Sequence, residues 1–381
     1  MRCSTGTSIV ALAVASLAVA QAVAGAARAE TGAWEQRIAP AAKAKPSGLR
    51  DGARVQSRTV DPAHVPKGSL AGPASAKGKP AVPAAAASLP SKVEETGSDA
   101  AYEAFDQGRY LTALSLAAKR AAAGDAVSHT LVARIHAEGL GVPQDAKLAA
   151  QWYQRGADLG DVEAAFGLGI LYARGEGVPK DFDKAAALLE KAALKGHPEA
   201  AYNLGLLFLS GKGKPESPHK GFMLVQYAAE KGVTSAMYDL GTLYATGTGT
   251  AANVFEAASW IGKAANAGHP DAEVEYAVIL LKDHDVPAEQ KARMQHRAVD
   301  LLHSAARKGL VVAQNRLAHC YAGGIGTAKD AVEAVKWHLV AKTGDGPDDE
   351  VLERLAGTLS RADRQKAAAA AAEWRETTLL D

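Results

Sequence analysis

Cysteine is almost missing from this 381-residue chain, which has only Cys3 and Cys320. If Cys3 leaves with the N-terminal segment, no intramolecular disulfide can form, and stability must come from packing alone. Long apolar runs are scarce as well. The one candidate, residues 9–23, is short of the roughly 20 residues a membrane span needs, and Gln21 interrupts it. Strong net charge is lacking too: 43 Lys and Arg stand against 42 Asp and Glu. No contiguous basic stripe is evident, so nucleic-acid binding finds no support. Proline is sparse outside one stretch. Half of the 16 prolines (Pro40, Pro46, Pro62, Pro66, Pro73, Pro80, Pro83 and Pro90) fall within residues 30–98.

The N-terminal quarter reads in two parts. Residues 1–29 carry Arg2, the apolar run, and Ala27, Arg28 and Ala29 before Glu30. This is the pattern of a secretory signal with an Ala-x-Ala cleavage site, and an uncleaved anchor is the alternative. Residues 30–98 are rich in Pro, Ala, Lys and Gly and cannot bury a core, so a disordered linker is expected. As a coil it would reach about 45–50 Å end to end. Ten Lys and Arg against six Asp and Glu give it a net charge of +4, and the rest of the mature chain carries −5. A soluble spacer is the plain reading, and a basic tail reaching anionic envelope surfaces is the other.

What the chain has in abundance is periodic glycine. Gly124, Gly160, Gly196, Gly232 and Gly268 lie 36 residues apart, Gly309 follows after 41, and Gly344 after 35 more. A fixed period of this size marks stacked helical repeats. The chemistry within each period recurs. Ala164, Ala200, Ala236, Ala272 and Ala313 open the first helix. Leu168, Leu204, Leu240, Tyr276 and Leu317 come four residues later, then Leu171, Leu207, Leu243, Ile279 and Cys320. These spacings place them on one helical face. A small residue beside them (Gly169, Gly205, Gly241, Ala277, Ala318) invites close approach of the neighbouring helix. A Gly-x-Gly turn follows, as at Gly175 and Gly177, and a second helix begins near Asp145 or Asp181. The boundary glycine suits a left-handed helix stop. Cys320 occupies a core phase and is expected to be a small buried residue, not a nucleophile.

The pattern Ala-x-x-x-Leu-Gly-x-x-Tyr, Gly-x-Gly-Val-Pro, Asp-x-x-x-Ala and Ala-Ala-x-x-Gly resembles the Sel1-like repeat family, which is related to tetratricopeptide repeats. The match is close in residues 161–196 and degenerate in 269–309, where residues 282–287 replace the glycine turn and five residues are extra. The resemblance implies an all-α fold, a right-handed α/α superhelix or solenoid of helical hairpins over residues 99–381. Its units are expected at about 101–124, 125–160, 161–196, 197–232, 233–268, 269–309 and 310–344, with a helical cap at 345–381 led by Ser360 as N-cap.

Chemical sites are weakly signalled. Ser217 with Lys220, and Lys342, Thr343 and Gly344, formally match two penicillin-interacting motifs. The middle element is absent, and Lys-Thr-Gly belongs on a strand. The Gly-x-Gly turns follow helices, so turn geometry explains them better than a phosphate cradle. His284, His296, His303 and His319 gather in the irregular unit and the next, but a metal needs converging ligands. No catalytic residue, metal or cofactor is therefore assigned. His197 and His269 share a boundary phase and are expected to be structural.

The resemblance also implies a concave surface lined by the first helix of each unit. By that analogy the candidate partner-binding residues are Arg134, Phe166, Arg174, Tyr202 and Tyr238, with packing between units as the competing role for the aromatics. The loop 282–291 is a second candidate contact. The function implied is a non-enzymatic periplasmic scaffold or regulator that binds another envelope protein or peptide segment. The family's ExoR-like regulators, which restrain a sensor kinase and so control exopolysaccharide production, suggest one such partner. A cell-wall enzyme or binder, or a secreted host-directed protein, are the alternatives.

Overall fold

The computed structural model describes residues 100–282, 284–344, 346 and 348–378. The expected signal segment and linker lie outside the described residues. Among those residues the fold is all-helical, with 16 helices and no strand. Contacts divide them into two compact units, residues 100–227 and 228–378, and the division falls within one helix.

The first unit holds α1 (Ala100–Asp106), α2 (Tyr110–Ala122), α3 (Ala126–Glu138), α4 (Ala146–Asp158), α5 (Val162–Arg174), α6 (Phe182–Leu194), α7 (Pro198–Ser210) and most of α8 (Pro218–Glu230). Its fully buried side chains include Leu131, and also Ile135, Leu168, Leu189 and Leu207, which the period puts on the inner face. The second unit holds α9 (Thr234–Thr246), α10 (Val254–Asn266), α11 (Pro270–Leu281), α12 (Ala288–Arg307), α13 (Val311–Gly323), α14 (Ala331–Lys342), α15 (Glu350–Thr358) and α16 (Arg361–Thr378). Leu240, Ile261, Leu302, Leu317 and Leu352 form the matching core there. Cys320 is buried, and burial pushes its thiol up to about 11, so it is a poor nucleophile.

Outside the irregular unit, where α11 ends at an extended Lys282 and α12 starts at an uncapped Pro287, the hairpins share local devices. The first helix stops at a left-handed glycine, whose amide donates to the carbonyl four residues back, as Gly175 does to Leu171 at 2.8 Å. The second helix starts at an acidic or amide cap. Asp181 accepts from the Lys184 amide at 3.0 Å, and Asn253 from Phe255 and Glu256. The mid-helix glycines do permit close approach: a Cβ on Gly241 would sit 2.7 Å from Ile261.

The second glycine of the turn has a role of its own. A Cβ on Gly213 would lie 2.0 Å from the Phe182 carbonyl oxygen, in the first turn of the preceding second helix. Gly177 stands in the same relation to Ala146, and Gly326 to Gln295. The turns are thus seated directly on the backbone of the hairpin before.

The boundary glycines have left-handed φ, 87° at Gly196 and 96° at Gly232. Nothing lies within 4 Å of a Cβ on Gly232. Gly232→Ala should therefore lose only the conformational share, about 1 kcal/mol, measured by denaturant melts. Gly344 departs from the series: it lacks the left-handed φ, and α14 ends with the Gly344 and Gly346 amides both donating to the Ala341 carbonyl at 3.0 Å.

The irregular unit also differs from expectation. Residues 288–291 are not loop but the first turn of α12, which has 20 residues where α4, α6 and α10 have 13. Ala, Glu, Gln, Lys and Arg after Pro287 favour helix, so the extra residues extend α12 at its N-terminal end. At the cap, α15 and α16 follow as expected. The Ser360 hydroxyl accepts from the Asp363 amide at 3.1 Å and donates to its carboxylate at 2.7 Å.

Candidate protein-interaction face

In four units the sixth residue's side chain reaches the N-cap residue of the next first helix. Thr130 Oγ1 donates to Asp161 at 2.7 Å. Phe166 stacks on His197, with ring centroids 4.5 Å apart, and Tyr238 stacks on His269 at 4.6 Å. Asn315 Nδ2 donates to Asp349 at 3.3 Å. Polar pairs and stacked rings thus fill the same place.

His197 shows why the boundary position takes histidine. Its Nδ1 accepts from the Ala200 amide at 3.1 Å and so caps α7. Its Nε2 donates to Glu163 at 3.0 Å, while one ring face covers Phe166. These partners assign the proton to Nε2. That hydrogen bond holds the Glu163 carboxyl below its usual range, against the upward push of burial. His269 likewise accepts from the Ala272 amide at 3.4 Å.

The five candidate residues are therefore tied into the fold to different degrees. Tyr202 is 3% exposed and belongs to the core. Phe166 and Tyr238 are half-buried, and the Tyr238 hydroxyl donates to Glu275 at 2.9 Å. Arg134 is half-buried, pairs with Glu138, and lies 5.7 Å from the centre of the Phe105 ring. Arg174 lies 3.6 Å from Glu176. Phe166 and Tyr238 join repeat to repeat, and the two arginines remain partly open to solvent.

Another row is more exposed. The third residue of the units from 125 to 344 reads Val127, Glu163, Glu199, Ser235, Asp271 and Val312, and the three acids among them have side chains 62%, 52% and 65% exposed. Acids hold that phase in three of the six units, beside the more conspicuous aromatic series. On these first helices, accessible charge alternates with rings used in packing. Such a surface suits a polar, extended or helical protein segment.

The weaker chemical signals have local explanations. Lys220 rests 5.5 Å from the Phe208 ring centre. Lys342, Thr343 and Gly344 close a helix, and the Thr343 hydroxyl donates to the Val340 carbonyl. Nε2 of His284, Nδ1 of His296 and Nε2 of His303 meet the Ile279 carbonyl, the Gly326 carbonyl and the Tyr321 hydroxyl in turn. Among the described residues, no group of three or more His, Cys, Asp or Glu is placed to hold a metal ion, and no helix is long and apolar enough to cross a membrane.

A family model described as Sel1 repeat matches residues 126–161, 162–197, 198–233, 234–269, 270–310 and 311–342, more than half of the chain. Among solved structures, a Sel1 repeat protein from Oxalobacter formigenes is 26% identical, with a TM-score of 0.54, over 65% of this chain and 97% of that one. A protective antigen of uropathogenic Escherichia coli strains, described as displaying an SLR fold, is 25% identical, with a TM-score of 0.49, over 72% of this chain and 67% of that one. No curated protein matches.

Proposed function

The chain belongs to the Sel1 repeat family, whose proteins generally act as protein–protein interaction scaffolds, and from this premise we propose that it is an exported, non-enzymatic scaffold or regulator that binds an envelope protein. The face engaged is that of the first helices. The observation that carries this reading is the division of labour there: rings hold repeats together, while the Glu163 and Glu199 side chains stand more than half exposed. The signal-like residues 1–29 support export to the periplasm. A sensor kinase is the specific partner suggested by ExoR-like regulators.

The test is photocrosslinking in intact cells. A photoreactive residue replacing Glu199 or Arg174 should capture one envelope protein. One replacing Leu194, 83% exposed on the second helix α6, should not. Equal capture from both, or none from the first-helix positions, would sink the proposal. Recovery of a kinase would establish the specific partner, and fractionation of periplasm against medium would decide the location.

A further inference from the structure

Several carboxylates of the first compact unit have a basic side chain beside them. Glu138 pairs with Arg134, Glu176 with Arg174, Asp181 with Lys184 and Glu190 with Lys214. Glu163 and Glu199 pair with no lysine or arginine among the described residues. His197 alone lies between them, with Nε2 3.0 Å from Glu163 and Nδ1 3.4 Å from Glu199. One imidazole thus separates two carboxylates that are each more than half exposed.

Tyr153 supplies a donor beside them. It is 9% exposed and reaches from α4 to α5, where a Cβ on Gly167 would lie 2.7 Å from its ring. Burial pushes its hydroxyl up, with Arg134 opposing and Glu138, Glu163 and Asp161 reinforcing, so the hydroxyl sits among the charges of this face. No hydrogen bond holds it among the described residues. It is free to donate to a carbonyl laid across the first helices.

The chain carries a complement to this arrangement, outside the described residues. Residues 42–46 read Ala-Lys-Ala-Lys-Pro, and residues 76–80 read Ala-Lys-Gly-Lys-Pro. Extended chain sets residues i and i+2 on one side, about 6.5–7 Å apart, which suits two carboxylates with a single ring between them. A following proline favours that backbone in the residue before it. Lys-Gly-Lys-Pro occurs once more at 212–215, built into a turn, and there Lys214 meets Glu190 at 2.7 Å.

We propose that residues 76–80 dock on the first-helix face of the first compact unit, with Lys77 and Lys79 on Glu163 and Glu199 and a carbonyl of the segment on the Tyr153 hydroxyl. Lys79 stands 21 residues before Ala100, where α1 begins. A coil of that length spans about 25 Å. From α1, α5 is two first helices on, about 20 Å at ordinary packing distances. The tether keeps the segment at an effective concentration in the millimolar range, so ion pairs that are weak alone give partial occupancy. The docking is independent of any envelope partner. Its consequence, competition for the face such a partner would use, rests on the proposed function.

The experiment is zero-length carbodiimide coupling of lysine to carboxylate in the purified full chain. Isotope-labelled and unlabelled protein are mixed, and the products are mapped by mass spectrometry. At low salt, Lys77 and Lys79 should couple to Glu163 and Glu199 about fivefold more than to the exposed Asp183 of α6, and within one molecule. Salt at about 0.5 M should erase the preference. Gly78→Lys with Lys79→Gly keeps the charge but places the lysines side by side, and it should erase the preference too. Tyr153→Phe should lower the yield about two- to fivefold. Equal coupling to Asp183 would overturn the docking. So would coupling only between molecules, coupling mainly from Lys43 and Lys45, or a preference that survives the lysine shift. An unchanged yield in Tyr153→Phe would overturn the part given to the hydroxyl. Each of these results leaves partner capture by the same face standing, since photocrosslinking decides that separately.

Discussion

Gly213→Ala is expected to destabilise the first unit by on the order of 4 kcal/mol or more, enough to unfold a marginal repeat array. Two causes act together. The residue has φ of 67°, where a Cβ is strained. The Cβ would also lie 2.0 Å from the Phe182 carbonyl oxygen and 2.4 Å from its carbon. Backbone cannot rotate aside as a side chain can, so the turn must move off α6. Gly232→Ala is the internal control, with the same φ cost and open space around it. Urea melts followed by circular dichroism should separate the pair by several kcal/mol. If both lose about 1 kcal/mol, the turn is not seated on the preceding hairpin as described.

The second large effect separates structure from recognition. Tyr202→Ala should cost about 3–5 kcal/mol, because a fully packed aromatic is removed. Glu199→Ala, on the exposed row of the same helix, should change stability by no more than about 0.5 kcal/mol. Capture of the envelope partner should respond in the opposite order once temperature is low enough to keep both variants folded. Thermal melts and crosslinking yields from the same preparations supply the two readings. A Tyr202→Ala protein that melts like the parent but fails to capture would return that residue to the binding surface.

The repeat and its turns were legible because both rest on backbone requirements that few residues satisfy. Positive φ demands glycine, and the even spacing of Gly124 to Gly268 exposes the period directly. The role of Tyr202 was not legible, since an aromatic at a helical phase can face solvent or a neighbouring repeat with the same spacing. Its burial depends on what the next hairpin offers. The His197 device was half legible: the boundary phase showed, but the stack on Phe166 and the bond to Glu163 join residues more than 30 apart. Residues 288–291 suggest a loop because the glycine turn is missing from its usual place, although their own composition favours helix. The polar hold on α15, from Asn315 and His319 to Asp349 and from Lys342 to Glu353, depends on pairings 11 to 34 residues apart that no local pattern announces.

The seating of each turn on the hairpin before it sets a rule for how such a chain can change length over evolution. Gly326 meets Gln295 across the same number of residues as Gly177 meets Ala146 and Gly213 meets Phe182, although the unit that holds Gln295 has five extra residues. The addition is harmless because it entered upstream of Gln295, before the contact is made. An insertion between that contact and the following turn would shift every later glycine off its seat. Lineages carrying this architecture should therefore gain or lose whole periods, or accumulate single residues only at the free leading end of a second helix.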